Sequence, residues 1–485
     1  MTPLYDRSDH TLSRLYVDGR WVPAADGGTF DVLDPADGSL LARVANGTVQ
    51  DAHAAVDAAA AAAAAWASLP PRERAEILMS AFALMCEHRD ELAELIVRES
   101  GKSWADAQGE ITYGAEFLRW FSEEAVRADG GLMVAPDGDK KIISILQPIG
   151  VSILITPWNF PAAMATRKIA PALAAGCTVV LKPASDTPLT ALALAVLMER
   201  AGTPAGVVNV LPSRRSGQVA EAMLLHPAAR KLSFTGSTEV GKSLLEIAAR
   251  NVLDCSMELG GNAPFVVFED ADIGTAVEGA MIAKMRNGGA SCIAANRFIV
   301  AASIASKFSR ALADAMAALR VGHALDRSVQ LGPMINARAV EDLATAVAAS
   351  VASGSTVLAT GTRTEGPGTF FPPTVLTDVS PDDPILHVEL FGPVAPIVTF
   401  ESDTQAIELA NATPFGLAAY VYSGDLARAL RTAERLDAGM IGINRGFISD
   451  PAAPFGGVKH SGLGREGGHE GLLEFLEPKY IAVEW

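Results

Sequence analysis

The spacing of apolar and polar residues divides the chain into a hairpin-rich start, a helical stretch, an exposed ribbon and a long alternation of strands and helices. Over residues 15–50, strand-like runs alternate with turn residues, as in Leu15-Tyr-Val-Asp-Gly-Arg-Trp-Val22 and Phe30-Asp-Val-Leu-Asp-Pro-Ala-Asp-Gly38, which predicts small hairpins. Thr48 with Asp51 three residues on reads as a capping box opening an alanine-rich helix, which stops at Pro70-Pro71. A second helix is predicted from about Arg72 to near Gly101, with Ile77, Ala81, Leu84, Met85, Leu92, Leu95 and Ile96 on one side. A third runs from Ala105 to Arg127 with Trp104, Phe117, Trp120 and Phe121. Between Asp129 and Val151 the pattern changes to two strands around the polar turn Pro136-Asp-Gly-Asp139. Such a ribbon needs a partner for its edges, so an oligomer contact is expected there.

From Val151 onward, strands predicted over 151–156, 178–182, 207–211 and 231–234 are each followed by a helical pattern. Units of this size imply a parallel sheet with helices on both faces, a doubly wound arrangement of the dinucleotide-binding kind. A second series begins after Cys255, with strands near 264–268, 297–300, 392–400, 418–422 and 439–443, and reads as a separate α/β domain. The final segment, 479–485, reads as a strand able to join the earlier ribbon.

At 485 residues the chain has room for about three domains. Thirty-nine basic against 56 acidic residues leave a net charge of −17, which argues against nucleic acid or an anionic membrane surface as a partner. It does not exclude an anionic substrate, because a local arginine pair can overrule the net charge. Cys86, Cys177, Cys255 and Cys292 fall in no paired spacing, so neither a disulfide framework nor a zinc site is expected. With no secretory pattern and no apolar run long enough to cross a bilayer, a cytoplasmic location is expected.

Candidate chemistry begins at Cys292. The run from Lys284 to Val300 breaks at Gly288-Gly289 and places the thiol at a loop or helix start, where backbone N–H groups can stabilise a thiolate. A cysteine taken alone is more often a buried packing residue. The turn around Gly236 and Ser237 aims N–H groups at an anion such as a cofactor phosphate, although a capped helix explains the hydroxyls equally well. Lys182 leaves its strand at the carboxyl end, able to hold ribose or phosphate oxygens or to stand as a solvated loop charge. A carboxylate in place of Ser185 would bind ribose hydroxyls and repel a 2′-phosphate, whereas serine admits one. Glu258, before Gly260-Gly261, is a general base if a cleft desolvates it and a surface charge otherwise. Asn159, hemmed by Pro157 and Pro161, can offer its amide to an oxyanion or serve simple turn chemistry.

Over nearly its whole length the sequence resembles the aldehyde dehydrogenase superfamily. The resemblance rests on PWNFP (157–161), LKPAS (181–185), FTGST (234–238), MELGGN (257–262), the 287–292 segment followed by Ala-Asn-Arg, ELFGP (389–393) and PFGGVKHSGLGREG (454–467), in family order. It implies a Rossmann-like cofactor domain (1–127 and 148–254), an α/β catalytic domain (255–445) and a β-ribbon for oligomerisation (128–147 and 468–485). It implies Cys292 as nucleophile, Glu258 as base, and Asn159 with the Cys292 N–H as oxyanion hole. Lys182 and Ser185 would meet the adenosine ribose, Gly236 and Ser237 the pyrophosphate, and Glu389 and Phe391 the nicotinamide ribose, with Thr156, Pro157 and Trp158 as further cofactor contacts. No metal is implied.

Within the superfamily the sequence is most similar to succinate-semialdehyde dehydrogenases, whose carboxylate-binding positions match Arg167, Arg286 and Ser449. Two guanidinium groups in one pocket favour an acidic aldehyde, while a structural salt bridge is the other reading of Arg286. The resemblance thus implies NADP or NAD as cofactor, with Ser185 favouring NADP, and a homodimer or homotetramer. Glutarate semialdehyde, or aliphatic aldehydes generally, is the alternative substrate, and a non-catalytic cofactor-binding relative the alternative of another class. Two departures stand out: Ala290-Ser291 replaces the family's common Gln-Thr before the cysteine, and Ala294 removes the second cysteine some relatives carry.

Overall fold

The computed structural model describes Leu4 and residues 11–361 and 366–484, so Trp485 of the predicted last strand lies outside the described residues. The chain opens on two antiparallel hairpins, β1 (Leu15–Val17) with β2 (Arg20–Val22) and β3 (Thr29–Leu33) with β4 (Leu40–Ala45). Helix α1 (Val49–Ser68) starts on the expected box: the Thr48 hydroxyl accepts the Asp51 N–H at 3.2 Å and the Asp51 carboxylate accepts the Thr48 N–H at 2.8 Å.

The single helix expected from Arg72 to Gly101 is two, α2 (Pro71–Glu87) and α3 (Arg89–Ser100). The apolar spacing runs unbroken across the junction, so periodicity cannot reveal it. His88 makes the break: its backbone leaves the helical region (φ −96°, ψ 21°) and its buried ring meets Glu91 at 3.1 Å. Helix α3 ends at Gly101 in the left-handed region (φ 79°), where a Cβ would lie 2.6 Å from the Pro333 ring. Helix α4 (Trp104–Glu124) follows, capped by Ser103.

Next come β5 (Gly131–Val134), β6 (Lys141–Pro148), β7 (Val151–Ile155), α5 (Ala163–Ala175), β8 (Val179–Lys182), α6 (Pro188–Arg200), β9 (Val208–Val210), α7 (Ser216–Leu224), β10 (Ala229–Thr235), α8 (Thr238–Ala249) and β11 (Asp254–Glu258). The second series holds β12 (Ala263–Val267), α9 (Ile273–Met285), β13 (Ala295–Ala301), β14 (Thr356–Thr360), β15 (Thr374–Thr377), β16 (Val394–Phe400), β17 (Ala418–Tyr422) and β18 (Met440–Ile443). Two more strands, β19 (Gly462–Leu463) and β20 (Leu476–Val483), close the chain.

The first sheet has the order β19-β11-β10-β7-β8-β9-β1-β2, with parallel pairing from β11 to β9 and antiparallel strands at both edges. Its strands alternate between two cores. Leu154, Val179 and Leu181 pack with the faces of α2 to α6, whereas Ile153, Ile155 and Val180 pack with α1, α7 and α8. Helices on both faces are what the near-continuous apolar strands predict. The second sheet, β14-β15-β16-β13-β12-β17-β18, is parallel except at β14; β14 and β15, short and flanked by polar residues, were not predicted. The sheets divide after Glu258, because β11 pairs with β10; the expected boundary at residue 255 is therefore displaced to the connector 259–262. β20 pairs with β6 along its length, forming a three-stranded ribbon with β5.

Two helices of the first sheet take their N-terminal acceptors from elsewhere in the chain. Glu99 at the end of α3 accepts from Leu189 N–H (2.8 Å), Thr190 N–H (2.9 Å) and the Thr190 hydroxyl, at the start of α6. Glu110 on α4 does the same for α5 through Ala162 N–H (2.8 Å) and Ala163 N–H (3.2 Å). Both helices lack a side-chain cap of their own, so a buried carboxylate meets donors that would otherwise go unsatisfied. Glu99→Ala is expected to destabilise the fold by about 1–3 kcal/mol through those unmet donors, read as a lower urea midpoint at fixed protein concentration. An unchanged midpoint would show that α6 does not depend on α3 for its cap.

Candidate active site

Strand order reverses between β7 and β10: β8 and β9 extend one way from β7, β10 and β11 the other. Loops leaving the carboxyl ends of strands on either side of such a reversal open a crevice. Here they are the 156–161 turn after β7 and the Gly236-Ser237 turn after β10. The second sheet closes the crevice into a cavity of about 230 Å³ with the loops before β13 and β16.

Of the residues singled out from sequence, Pro157, Trp158, Asn159, Arg167, Gly236, Ser237, Arg286, Cys292, Glu389 and Phe391 line this one cavity. Ser449 is buried beside it, accepting from the Arg167 guanidinium at 3.2 Å. Thr156, Lys182, Ser185 and Glu258 do not line it. Thr156 and Lys182 are joined backbone to backbone (3.2 Å) at the ends of β7 and β8, and Ser185 follows on that loop. Glu258 ends β11 opposite Thr235, its carboxyl packed towards the Gly456 backbone, and neither oxygen meets a protein donor.

Cys292 sits in a turn, not at a helix start. Arg286–Gly289 form a single 3-10 turn in which Asn287 (φ 55°) and Gly288 (φ 60°) are left-handed, and the chain then passes Cys292 into β13. Gly289 is also left-handed (φ 83°), and a Cβ there would lie 2.3 Å from the Gly392 carbonyl, so this run needs its glycines. The Ala290 departure is absorbed by the backbone. Its carbonyl accepts from Asn159 Nδ2 at 3.1 Å and from Asn287 Nδ2 at 2.8 Å, which any residue can provide.

The surroundings of the thiol disfavour its charge. Burial, reinforced by Glu258 and Glu389, pushes the Cys292 thiol up to about 12. Burial and the neighbouring Glu466 also raise Glu258 well above the carboxylate range, and burial lifts Glu389 to about 7 against the Gly261 N–H that its carboxylate accepts at 3.1 Å. Burial lowers Lys182 to about 8; its ammonium donates to the Pro183 carbonyl at 3.1 Å.

The two arginines are held by aromatic faces. Arg286 lies 4.7 Å from the Phe447 ring, 4.9 Å from Phe160 and 5.7 Å from Tyr113, and among the described residues it pairs with no carboxylate. This sets aside the salt-bridge reading. Arg167 lies 4.0 Å from Phe455 and 5.5 Å from Tyr113, with Glu466 at 3.6 Å. The Tyr113 hydroxyl bonds both Arg167 and Ser449. Tyr113 thus touches all three groups of the expected carboxylate site, yet it was missed: on α4 it reads as one more amphipathic helical residue. Lys102 and Glu110 were missed too, although both are buried beneath Asn159.

The sequence model of the aldehyde dehydrogenase family matches residues 21–481. The chain belongs to the aldehyde dehydrogenase family. It is 54% identical over 444 residues to the succinate-semialdehyde dehydrogenase of Paenarthrobacter nicotinovorans, covering 92% of this chain and 99% of the relative. It is 48% identical to the 3-sulfolactaldehyde dehydrogenase of Pseudomonas putida, over 97% of this chain and 96% of that one. Among solved structures, an E. coli NADP-dependent enzyme superposes with a TM-score of 0.97 at 47% identity, over 99% of this chain and all of that one.

In a Cys86→Ser background without cofactor, alkylation of Cys292 by iodoacetamide is expected to quicken about tenfold per pH unit from about pH 7 to 9, because the thiolate fraction grows so below the pKa. A plateau near pH 8.5 would show that burial does not hold the thiol protonated.

Proposed function

We propose that this protein oxidises succinate semialdehyde to succinate with NADP or NAD. The observation that carries the reading is the placement of Arg167 and Arg286, both against Tyr113, in the cavity that Cys292 also lines. Guanidinium groups suit a carboxylate through paired N–H donors. A four-carbon semialdehyde joins a carboxylate to an aldehyde across a short chain. The relatives support an anionic far end: one is named for a carboxylate-bearing aldehyde and the other for a sulfonate-bearing one.

The residues suit the cofactor. Gly236 and Ser237 open the N-terminus of α8 onto the cavity, which favours pyrophosphate. Lys182, buried and bonded to one carbonyl, has donors to spare for ribose or phosphate oxygens. Glu389 and Phe391, the latter edge-to-face with Trp158 at 5.4 Å, would hold the nicotinamide ribose, and Thr156 with Pro157 would border it. When bound, the oxidised nicotinamide brings positive charge to the cavity and accepts a hydride from the substrate carbon.

Cys292 is the nucleophile: the thiol gives its proton to solvent water, the thiolate sulfur bonds the aldehyde carbon as the carbonyl π bond breaks, and the oxygen so charged is held by the Asn159 amide and the Cys292 N–H. Loss of hydride leaves a thioester on Cys292. The Glu258 carboxylate, of raised proton affinity and free of protein donors, takes a proton from water as the water oxygen attacks the thioester carbon, and passes it to the sulfur as the C–S bond breaks, which releases the acid and the thiol. Because its carboxyl packs towards Gly456, a side-chain rotation brings it to the thioester. Residues 11–127 and 148–258 form the cofactor domain and the second sheet the catalytic one. The ribbon 128–147 with 468–484, which exposes Leu132, Met133 and Tyr480, is the contact of a homodimer or homotetramer. Four unpaired cysteines suit a cytoplasmic location.

Arg167→Ala is expected to raise KM for succinate semialdehyde about 10–100-fold, the loss of charge-assisted bonds worth about 1.5–3 kcal/mol, while KM for butanal stays within about twofold. Equal losses on both aldehydes would remove the carboxylate clamp. Glutarate semialdehyde in the same assay tests the one-carbon-longer substrate. Ser185→Glu is expected to raise KM for NADP about tenfold or more and to spare NAD, because a carboxylate there repels a 2′-phosphate at short range. Unaltered NADP affinity would place the phosphate elsewhere.

A further inference from the structure

We propose that Lys102 and Glu110 form a buried positioning pair that fixes the Asn159 turn against the Cys292 loop and so governs the rate of hydride loss. This rests on the reading of Asn159 as an oxyanion donor. Both side chains are almost wholly buried (2% and 0% exposed), with the ammonium 2.5 Å from Glu110 Oε2. Lys102 also donates to the Asn159 carbonyl at 2.6 Å and stands 4.4 Å from the Phe160 ring. The other oxygen of Glu110 accepts the Ala162 and Ala163 N–H groups that open α5, the helix carrying Arg167. One ion pair therefore grips the turn on both sides of Pro161.

The grip continues to the nucleophile. Asn287 donates to the same Asn159 carbonyl at 2.9 Å and to the Ala290 carbonyl at 2.8 Å, and the Asn159 side chain donates to Ala290 at 3.1 Å. Asn159 is held at its main chain by Lys102 and Asn287 and at its amide by a carbonyl two residues before Cys292. Stability alone does not call for such a pair, since buried ion pairs are commonly matched by apolar residues of equal volume. Placement does, because an oxyanion donor must lie within hydrogen-bond reach of an oxygen whose charge exists only during the reaction. Neither residue touches the cavity of the reacting atoms, so both act through Asn159.

The test is a mutant cycle on the full chain, reading the single-turnover rate of NADPH formation from succinate semialdehyde with enzyme in excess. Asn159→Ala is expected to slow it about 100-fold, Lys102→Met about tenfold or more, and the double variant no more than Asn159→Ala alone, with the Kd for NADP within about twofold throughout. Multiplied losses in the double variant, or a Lys102→Met rate within about twofold of the unaltered protein, overturn the proposal while leaving the oxyanion reading intact. An unslowed Asn159→Ala overturns both. If Lys102→Met does not fold, Glu110→Gln, which keeps an acceptor for α5 and removes the counter-charge of Lys102, carries the same cycle.

Discussion

Gly261 approaches the carbonyl of Cys292 so closely that a Cβ would lie 2.1 Å from its oxygen. This contact joins the connector that follows β11 of the first sheet to the loop entering β13 of the second. The connector around it is pinned from every side. Ser461 donates to the Gly260 carbonyl at 2.7 Å, Asn262 donates to Leu386 O at 2.8 Å, and the Arg297 guanidinium makes bonds of 3.0 and 2.9 Å to the Asn262 carbonyl. Glu258 lies just before the connector, Cys292 across it, and Glu389 on the Gly261 N–H. Any residue but glycine at 261 would part the two sheets where the cavity forms.

Burial is the second organising term, and it acts in one sense on Cys292, Glu258, Glu389, Lys182 and Lys284. It drives these acids towards the protonated form and these bases towards the neutral one, with Lys284 lowered to about 7. Lys284 shows how the cost is met, donating to Asn296 Oδ1 at 3.0 Å and to Leu390 O at 3.2 Å. Those bonds tie the strand after Cys292 to the turn carrying Glu389. In the same low dielectric, each remaining charge acts more strongly on its neighbours, so a single bound anion or cation changes the state of several groups.

Much of this was legible in the chain. The Thr48–Asp51 box, the apolar alternation of β7 and β8 and the ordered motifs each carry local signals, because capping, pleat and glycine geometry act over a few residues. His88 shows the limit: the break between α2 and α3 depends on its burial against Glu91, and the apolar stripe passes straight through it. Tyr113 shows another, since its meaning comes from Arg167, Arg286 and Ser449, which lie far from it in sequence. The Lys102–Glu110 pair straddles a helix start, where spacing gives no sign that the two side chains meet.

The sequence by itself determined most of the order of strands and helices and the glycines at 288–289 and 260–261, since these follow from local backbone preference, while the proposed nucleophile, base and clamp residues came from the resemblance that the ordered motifs carry. Only the tertiary structure decided the environment of those groups. The raised proton affinity of Cys292, the turning of Glu258 towards Gly456, the aromatic bed of the two arginines and the support beneath Asn159 arise from desolvation and from contacts between residues distant in sequence. Such terms are set by which surfaces leave water together.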